Sequence, residues 1–149
     1  MFREPPVEFS FSVEQCRKLV ELAYLGEWML NAHHADEHQD EAASLLFQQL
    51  LSAVDVEGVE TDPETGRKFL VAEWDTMLQE RKISDYDDHT FWEELTERLA
   101  ERDLAKRTGQ RVEDIDRDDD LIELKPIEER YRHEFEEHGL ERIHIQTDY

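Results

Sequence analysis

Apolar residues in this chain recur at the spacing of an α-helix, and capping residues stand where helices of that spacing would begin. From Val13 onward, Cys16, Leu19, Val20, Ala23, Met29 and Leu30 share one stripe, which Tyr24, Leu25 and Trp28 widen. Ser12, with Gln15 three residues on, forms a capping box before that stripe, so a helix is predicted from Val13 to about Asn31. A second stripe, Ala42, Leu45, Leu46, Phe47, Leu50, Leu51 and Val54, predicts a helix that ends near Gly58. Between them, Ala32 to Asp40 holds no large apolar side chain. That stretch reads as the corner of an antiparallel helical hairpin, with Asp36 and Gln39 as its capping pair.

Beyond the hairpin the signals are mixed. Asp62-Pro63-Glu64-Thr65-Gly66 suits either a turn between short strands or a helix entry with Pro in its first turn, so residues 55–72 stay open between hairpin and helix. Leu70, Trp74, Met77 and Leu78 predict a third helix, and Ser84 to Asp88 a polar loop. Phe91, Trp92, Leu95, Leu99 and Leu104 predict a fourth helix that stops before Gly109. An acidic loop, Glu113 to Asp120, precedes the short apolar run Leu121, Ile122 and Leu124. Pro126 is then expected to open a fifth helix through Ile127, Tyr131 and Phe135, with Gly139 as its C-terminal cap.

Two stretches alternate like strands: Val7, Phe9 and Phe11, and Leu140 to Gln146 with Ile143 and Ile145. A lone strand is unstable, so the Leu140–Gln146 strand is expected to pair with residues 7–11 or 121–124. Trp28, Trp74 and Trp92 each lie on a helical stripe and are expected in the core. The fold class is thus mainly α: four to five helices around an antiparallel helical hairpin, with a small β ribbon near the termini.

A length of 149 residues fits one domain, 1–149, able to bury roughly two-thirds of its unfolded surface without disulfide or metal. Apolar and charged residues each make up 38%, a ratio that favours a thin core and leaves apolar surface for a second subunit. A homodimer is therefore expected. The one cysteine, Cys16, on the buried stripe, excludes a disulfide framework and a cysteine-based zinc site. No basic-then-apolar leader and no apolar run of transmembrane length is found, so a cytoplasmic protein is expected.

Net charge is −22 and evenly spread: residues 1–66 hold three basic and fourteen acidic side chains, and no Lys or Arg falls between Lys18 and Arg67. Such a surface repels nucleic-acid phosphate and anionic lipid, and attracts cations and basic proteins. Neither nucleic acid nor membrane is an expected partner.

His34-Ala35-Asp36-Glu37-His38 matches the H-x-x-E-H pattern and in those five residues resembles the inverted zinc peptidases. On a helix, His34 and His38 would share a face and Glu37 could activate a zinc-bound water. The surroundings are polar, however, where that catalytic helix requires an apolar core, so a peptidase is not expected. A looser site for zinc or another divalent cation keeps His34, His38, Glu37 and Glu41 as ligands, within a donor-rich stretch from His33 to Glu41.

Asp114, Asp116, Asp118 and Asp120 fall on positions 1, 3, 5 and 7 of a calcium loop. Position 6 is Asp119 rather than Gly, though, and position 12 is Lys125 rather than Glu. His133–Glu137 and Glu134–His138 are spaced as exposed helical charge pairs. No Gly-rich loop and no activated nucleophile is present. The expected function is therefore a non-enzymatic protein-interaction module whose partner has a basic surface, in its extreme form a DNA mimic. The alternative is a small metal-binding protein using the His33–Glu41 cluster.

Overall fold

The structure, a computed structural model, describes residues 7–35 and 38–144. It is mainly helical, with 67% helix and one two-stranded antiparallel sheet among the described residues. The elements run α1 (Val13–Asn31), α2 (Glu41–Ala53), β1 (Val59–Thr61), β2 (Lys68–Leu70), α3 (Ala72–Leu78), a π-helical segment Gln79–Ile83, α4 (Ser84–Thr108), a 3₁₀ turn Val112–Asp114 and α5 (Leu121–His138). The chain divides into two compact units, residues 1–84 and 85–149.

In the first unit, α1 begins as its sequence predicts. Ser12 Oγ accepts the Gln15 N–H at 3.2 Å while Gln15 Oε1 accepts the Ser12 N–H at 2.9 Å, which satisfies two of the helix's unpaired amides. α1 and α2 pack as the predicted hairpin. The N-cap of α2 is Asp40, whose Oδ1 accepts the Ala43 N–H at 3.0 Å. The expected Asp36 cap lies outside the described residues.

At the corner, Asn31 is buried at 6% exposure and fully engaged. Its Oδ1 accepts the Asp40 N–H at 2.6 Å, and its Nδ2 donates to Glu27 Oε1 and to Ser44 Oγ. Ser44 Oγ in turn donates to Glu27 at 2.6 Å. Below the corner, Val20, Leu51, Val56, Leu70, Trp74 and Leu78 form the core.

Residues 55–72 resolve as a β-hairpin, with Val59 opposite Leu70 and Thr61 opposite Lys68. Asp62 Oδ1 accepts the N–H groups of Glu64 and Thr65, and Gly66 closes the turn with φ +71°. Those two amides hold the Asp62 carboxyl below the usual carboxylate range. The free edge of β2 is covered by a side chain. Gln48 Nε2 donates to Lys68 O at 2.9 Å and Gln48 Oε1 accepts the Lys68 N–H at 3.0 Å, so the amide bonds that residue as a neighbouring strand would.

The ribbon therefore lies inside the chain, not near the termini as expected. Residues 7–11 are not a strand, with Val7 and Phe9 each 77% exposed. Residues 121–124 form the first turn of α5, and 140–142 a turn. Ile145 and Gln146, the end of the expected terminal strand, lie outside the described residues. Without a facing backbone, alternation alone gives no ladder.

In the second unit, α4 and α5 are antiparallel, Ala100 and Leu104 packing with Leu124 and Ile127. Two expectations fail here. Ser84 to Asp88 is the first turn and a half of α4 rather than a loop, and α5 begins at Leu121, so Pro126 sits inside it. Pro126 deprives the Ile122 carbonyl of its helical partner, and Ile122 is 86% exposed, so water can serve instead. Gly109 and Gly139 end α4 and α5 at positive φ, as predicted. Arg117 ties the acidic loop to both helices, bonding Glu97 and Glu101 of α4 and Glu128 of α5 at 2.7–3.1 Å. No helix among the described residues is long and apolar enough to cross a membrane.

Candidate functional site

A cleft of about 560 Å³ opens between the N-terminal half of α4 and the C-terminal half of α5. Asp85, Asp88, His89, Trp92, Glu93 and Thr96 line it from α4. Their steps of three and four residues place them on one face of that helix. Arg132, Phe135 and Glu136 line it from α5. The face exists because Ser84–Asp88 is helical; as a loop, Asp85 and Asp88 would not align with Trp92.

The cleft has an aromatic wall and an acidic rim. The Trp92 and Phe135 ring centroids lie 5.4 Å apart, Phe91 meets Trp92 edge-on at 5.0 Å, and Tyr131 stacks with Phe135 at 5.8 Å. A charge network outside the cleft holds Tyr131. Its hydroxyl donates to Asp103 Oδ2 at 2.6 Å and accepts from Arg102 Nη2 at 3.0 Å. Burial pushes the Asp103 carboxyl up, but the hydrogen bonds from Tyr131 and Arg102 and the charges of Arg102 and Arg130 outweigh it and hold it below the usual range. Burial, followed by the bond to Asp103, raises the Tyr131 hydroxyl, so it stays a protonated donor.

Four carboxylates face one guanidinium across the cleft, a net charge of −3 with His89 neutral. His89 Nε2 lies 3.3 Å from Glu93 Oε2, one helical turn on. Thr96, 4% exposed, supplies the only hydroxyl of the wall among the described residues. No buried side-chain oxygen among the described residues lacks a partner. The Thr96 hydroxyl bonds no described residue, so it is open to solvent. Among the described residues, no serine, cysteine or lysine lines this space. The arrangement can hold a cation with a flat or apolar body; it offers no nucleophile paired with a base.

The residues expected to bind metal occupy the hairpin corner of the first unit. His34 and His38 are exposed, and their backbone N–H groups donate to Asn31 O and Ala35 O. Glu41 is the exposed first residue of α2, the His33 and His34 rings lie 4.0 Å apart, and Glu37 lies outside the described residues. Among the described residues, no group of three or more His, Cys, Asp or Glu side chains is placed to hold a metal ion.

In the acidic loop, Asp116 Oδ1 accepts the N–H of Asp118 and of Asp119, and Asp120 Oδ2 accepts the N–H of Asp116. These carboxylates cap their own turn. On α5, His133 pairs with Glu137 at 3.8 Å, but His138 also faces Glu137, at 3.5 Å, while Glu134 takes Arg142.

Of the three tryptophans, Trp74 is buried; Trp28 and Trp92 are half-buried, and Trp92 is a cleft wall. Helical spacing cannot separate those two fates. A usable signal was the stretch from Asp85 to Glu97, which holds six acidic residues and three aromatics, with no Lys or Arg between Lys82 and Arg98. No protein-family model, curated protein or solved structure matches this chain.

Proposed function

We propose that this protein is a non-enzymatic interaction module of the cytoplasm that engages a basic protein through the acidic, aromatic-walled cleft of its second unit. One observation carries the reading: carboxylates from both α4 and α5 ring an aromatic wall, which adds a specific contact to a diffuse charge of −22. The half-buried, unpaired Cys16 suits a reducing compartment. In the extreme form of this reading the acidic surface occupies a basic DNA-binding cleft as a DNA mimic.

The test compares two charge-matched variants for binding to a basic, sequence-independent DNA-binding protein, by fluorescence anisotropy over a range of salt. Asp85→Asn/Asp88→Asn/Glu93→Gln should weaken binding by about tenfold, as loss of desolvated charge contacts does. Glu57→Gln/Glu60→Gln/Glu64→Gln, in the first unit, should change it far less. Equal losses would mean that only total charge matters and would remove the cleft from the reading. Displacement of duplex DNA from the same protein would mark mimicry.

Self-association, if the module dimerises, belongs on α2. Leu45 and Leu46 are 63% and 66% exposed, and from Ala42 to Ala53 the helix carries no charge. Two copies at −22 each repel everywhere except on such a face. Sedimentation equilibrium should show a dimer that Leu45→Glu/Leu46→Glu converts to monomer; a wild-type monomer would end the dimer reading.

A further inference from the structure

We propose that the cleft between α4 and α5 takes the guanidinium of an arginine side chain. The inference rests on the interaction reading and names the group by which the partner is held. Four features select that group. The net charge of −3 excludes phosphates and carboxylates, so the occupant is a cation. The described residues place no three metal-ligating side chains together, and a hard metal ion requires such convergence, so the cation is organic.

The wall is the third feature. The Trp92 and Phe135 rings, 5.4 Å apart, form an aromatic surface on which a planar, weakly hydrated guanidinium can lie. The fourth is Thr96, a residue 4% exposed that lines the cleft and whose hydroxyl bonds no described residue. Solvent reaches that oxygen in the free protein, and an occupant's N–H can take the water's place.

Guanidinium fits this set better than ammonium because of its shape. It carries five N–H donors in a plane. One edge can donate to Thr96 Oγ1 while another reaches the carboxylates of Asp88 and Glu93, and the face stays on the indole. An ammonium on its flexible stem has three donors and no face to stack. Arg132, exposed on the rim, is the chain's own guanidinium and competes for the same carboxylates.

The experiment follows the three tryptophan indole N–H signals by NMR while N-acetyl-arginine amide is added, with the lysine and citrulline amides as controls. Citrulline keeps the shape and loses the charge. The arginine probe should move the Trp92 signal, assigned with Trp92→Phe, and leave Trp28 and Trp74 in place. Citrulline should bind at least about tenfold more weakly, as a site built around a charged partner requires. Thr96→Val, which keeps the volume, should weaken the arginine probe by roughly fivefold, the loss of one hydrogen bond. Arg132→Ala should tighten it.

Equal shifts from arginine and citrulline, or an undiminished response in Thr96→Val, would overturn the proposal. If the basic DNA-binding protein binds while the arginine probe leaves Trp92 unmoved, the cleft assignment fails and the interaction reading stands. If the probe binds at Trp92 and no basic protein does, the interaction reading fails. The cleft is then a site for a free guanidine compound.

Discussion

Asn31 Oδ1 accepts the backbone N–H of Asp40 at 2.6 Å, so the last residue of α1 holds the N-cap of α2. Asn31 Nδ2 meets Glu27 and Ser44, which are themselves bonded, and the corner becomes a closed polar cluster with Asn31 at 6% exposure. Asn31→Ala removes the hydrogen bonds to Glu27, Asp40 and Ser44 and should cost about 1–3 kcal/mol, at about 0.5–1.5 kcal/mol for each bond lost. Urea denaturation measures it. A loss below about 0.5 kcal/mol, the range of ordinary surface changes, would show that water replaces the cluster without cost.

Gly58 sits at φ +95°, and a Cβ there would meet Trp74 Cε3 at 3.0 Å and Val71 Cγ2 at 3.4 Å. Trp74 is 3% exposed and held further by Arg17, whose guanidinium lies 4.2 Å from its ring, so it cannot retreat freely. Gly58→Ala combines backbone strain with that clash and should destabilise by about 2–4 kcal/mol. Gly66→Ala, at φ +71° with nothing within 4 Å, should cost only the strain, about 1 kcal/mol. Comparable losses in thermal or urea melts of the two variants would show that the Trp74 ring yields to the added methyl.

Among the described residues, Arg117 is the one cation paired with Glu97, Glu101 and Glu128, and Glu128 is 8% exposed. Removing the guanidinium leaves three carboxylates to repel one another around a buried member. Arg117→Ala should destabilise by about 1–3 kcal/mol, less than for a fully buried pair because the arginine is partly in water. Amide hydrogen exchange should quicken first in the 115–120 loop. Unchanged exchange there would mean the ion pairs do not hold the loop.

Tyr24 Oη donates to Asp75 Oδ1 at 2.7 Å and accepts from Gln79 Nε2 at 2.6 Å. Burial, then the bond to Asp75, pushes its hydroxyl up to about 12. A raised folded pKa gives stability that is whole below the unfolded value, near 10, and is lost as pH rises through the folded one. Ultraviolet titration of tyrosinate should therefore show two late-ionising residues, Tyr24 and Tyr131, of which one vanishes in Tyr24→Phe. If Tyr24 ionises with the exposed Tyr86, the bond to Asp75 is not held in solution.

A charge of −22 on 149 residues makes the folded state repel itself. The thermal midpoint should rise with sodium chloride as the Debye length falls from about 30 Å at 0.01 M to about 3 Å at 1 M. A flat or falling midpoint would mean that local pairs such as those at Arg117 already balance the repulsion.

Features written in short stretches of the chain are legible from the residues alone. Ser12 and Gln15 start α1, Gly109 and Gly139 end α4 and α5, and the spacing of Cys16, Val20 and Leu51 marks buried faces, because capping and helical periodicity act over a few residues.

Features that need partners distant in sequence are not legible in this way. Val7 and Phe9 alternate like a strand yet find no facing backbone among the described residues, whereas Lys68 gains its edge from Gln48, twenty residues away. Leu45 and Leu46 match the spacing of a core stripe yet face outward, since periodicity gives a face and not what covers it.

The cleft lay furthest from view. Trp92 meets Phe135 only once α4 and α5 run antiparallel, and Asp85 and Asp88 join them only because a stretch rich in polar residues continues the helix. Tertiary packing decides the first, through apolar contacts such as Ala100 and Leu104 with Leu124 and Ile127, whereas residues 84–89 are exposed and join by continuing a helix already formed.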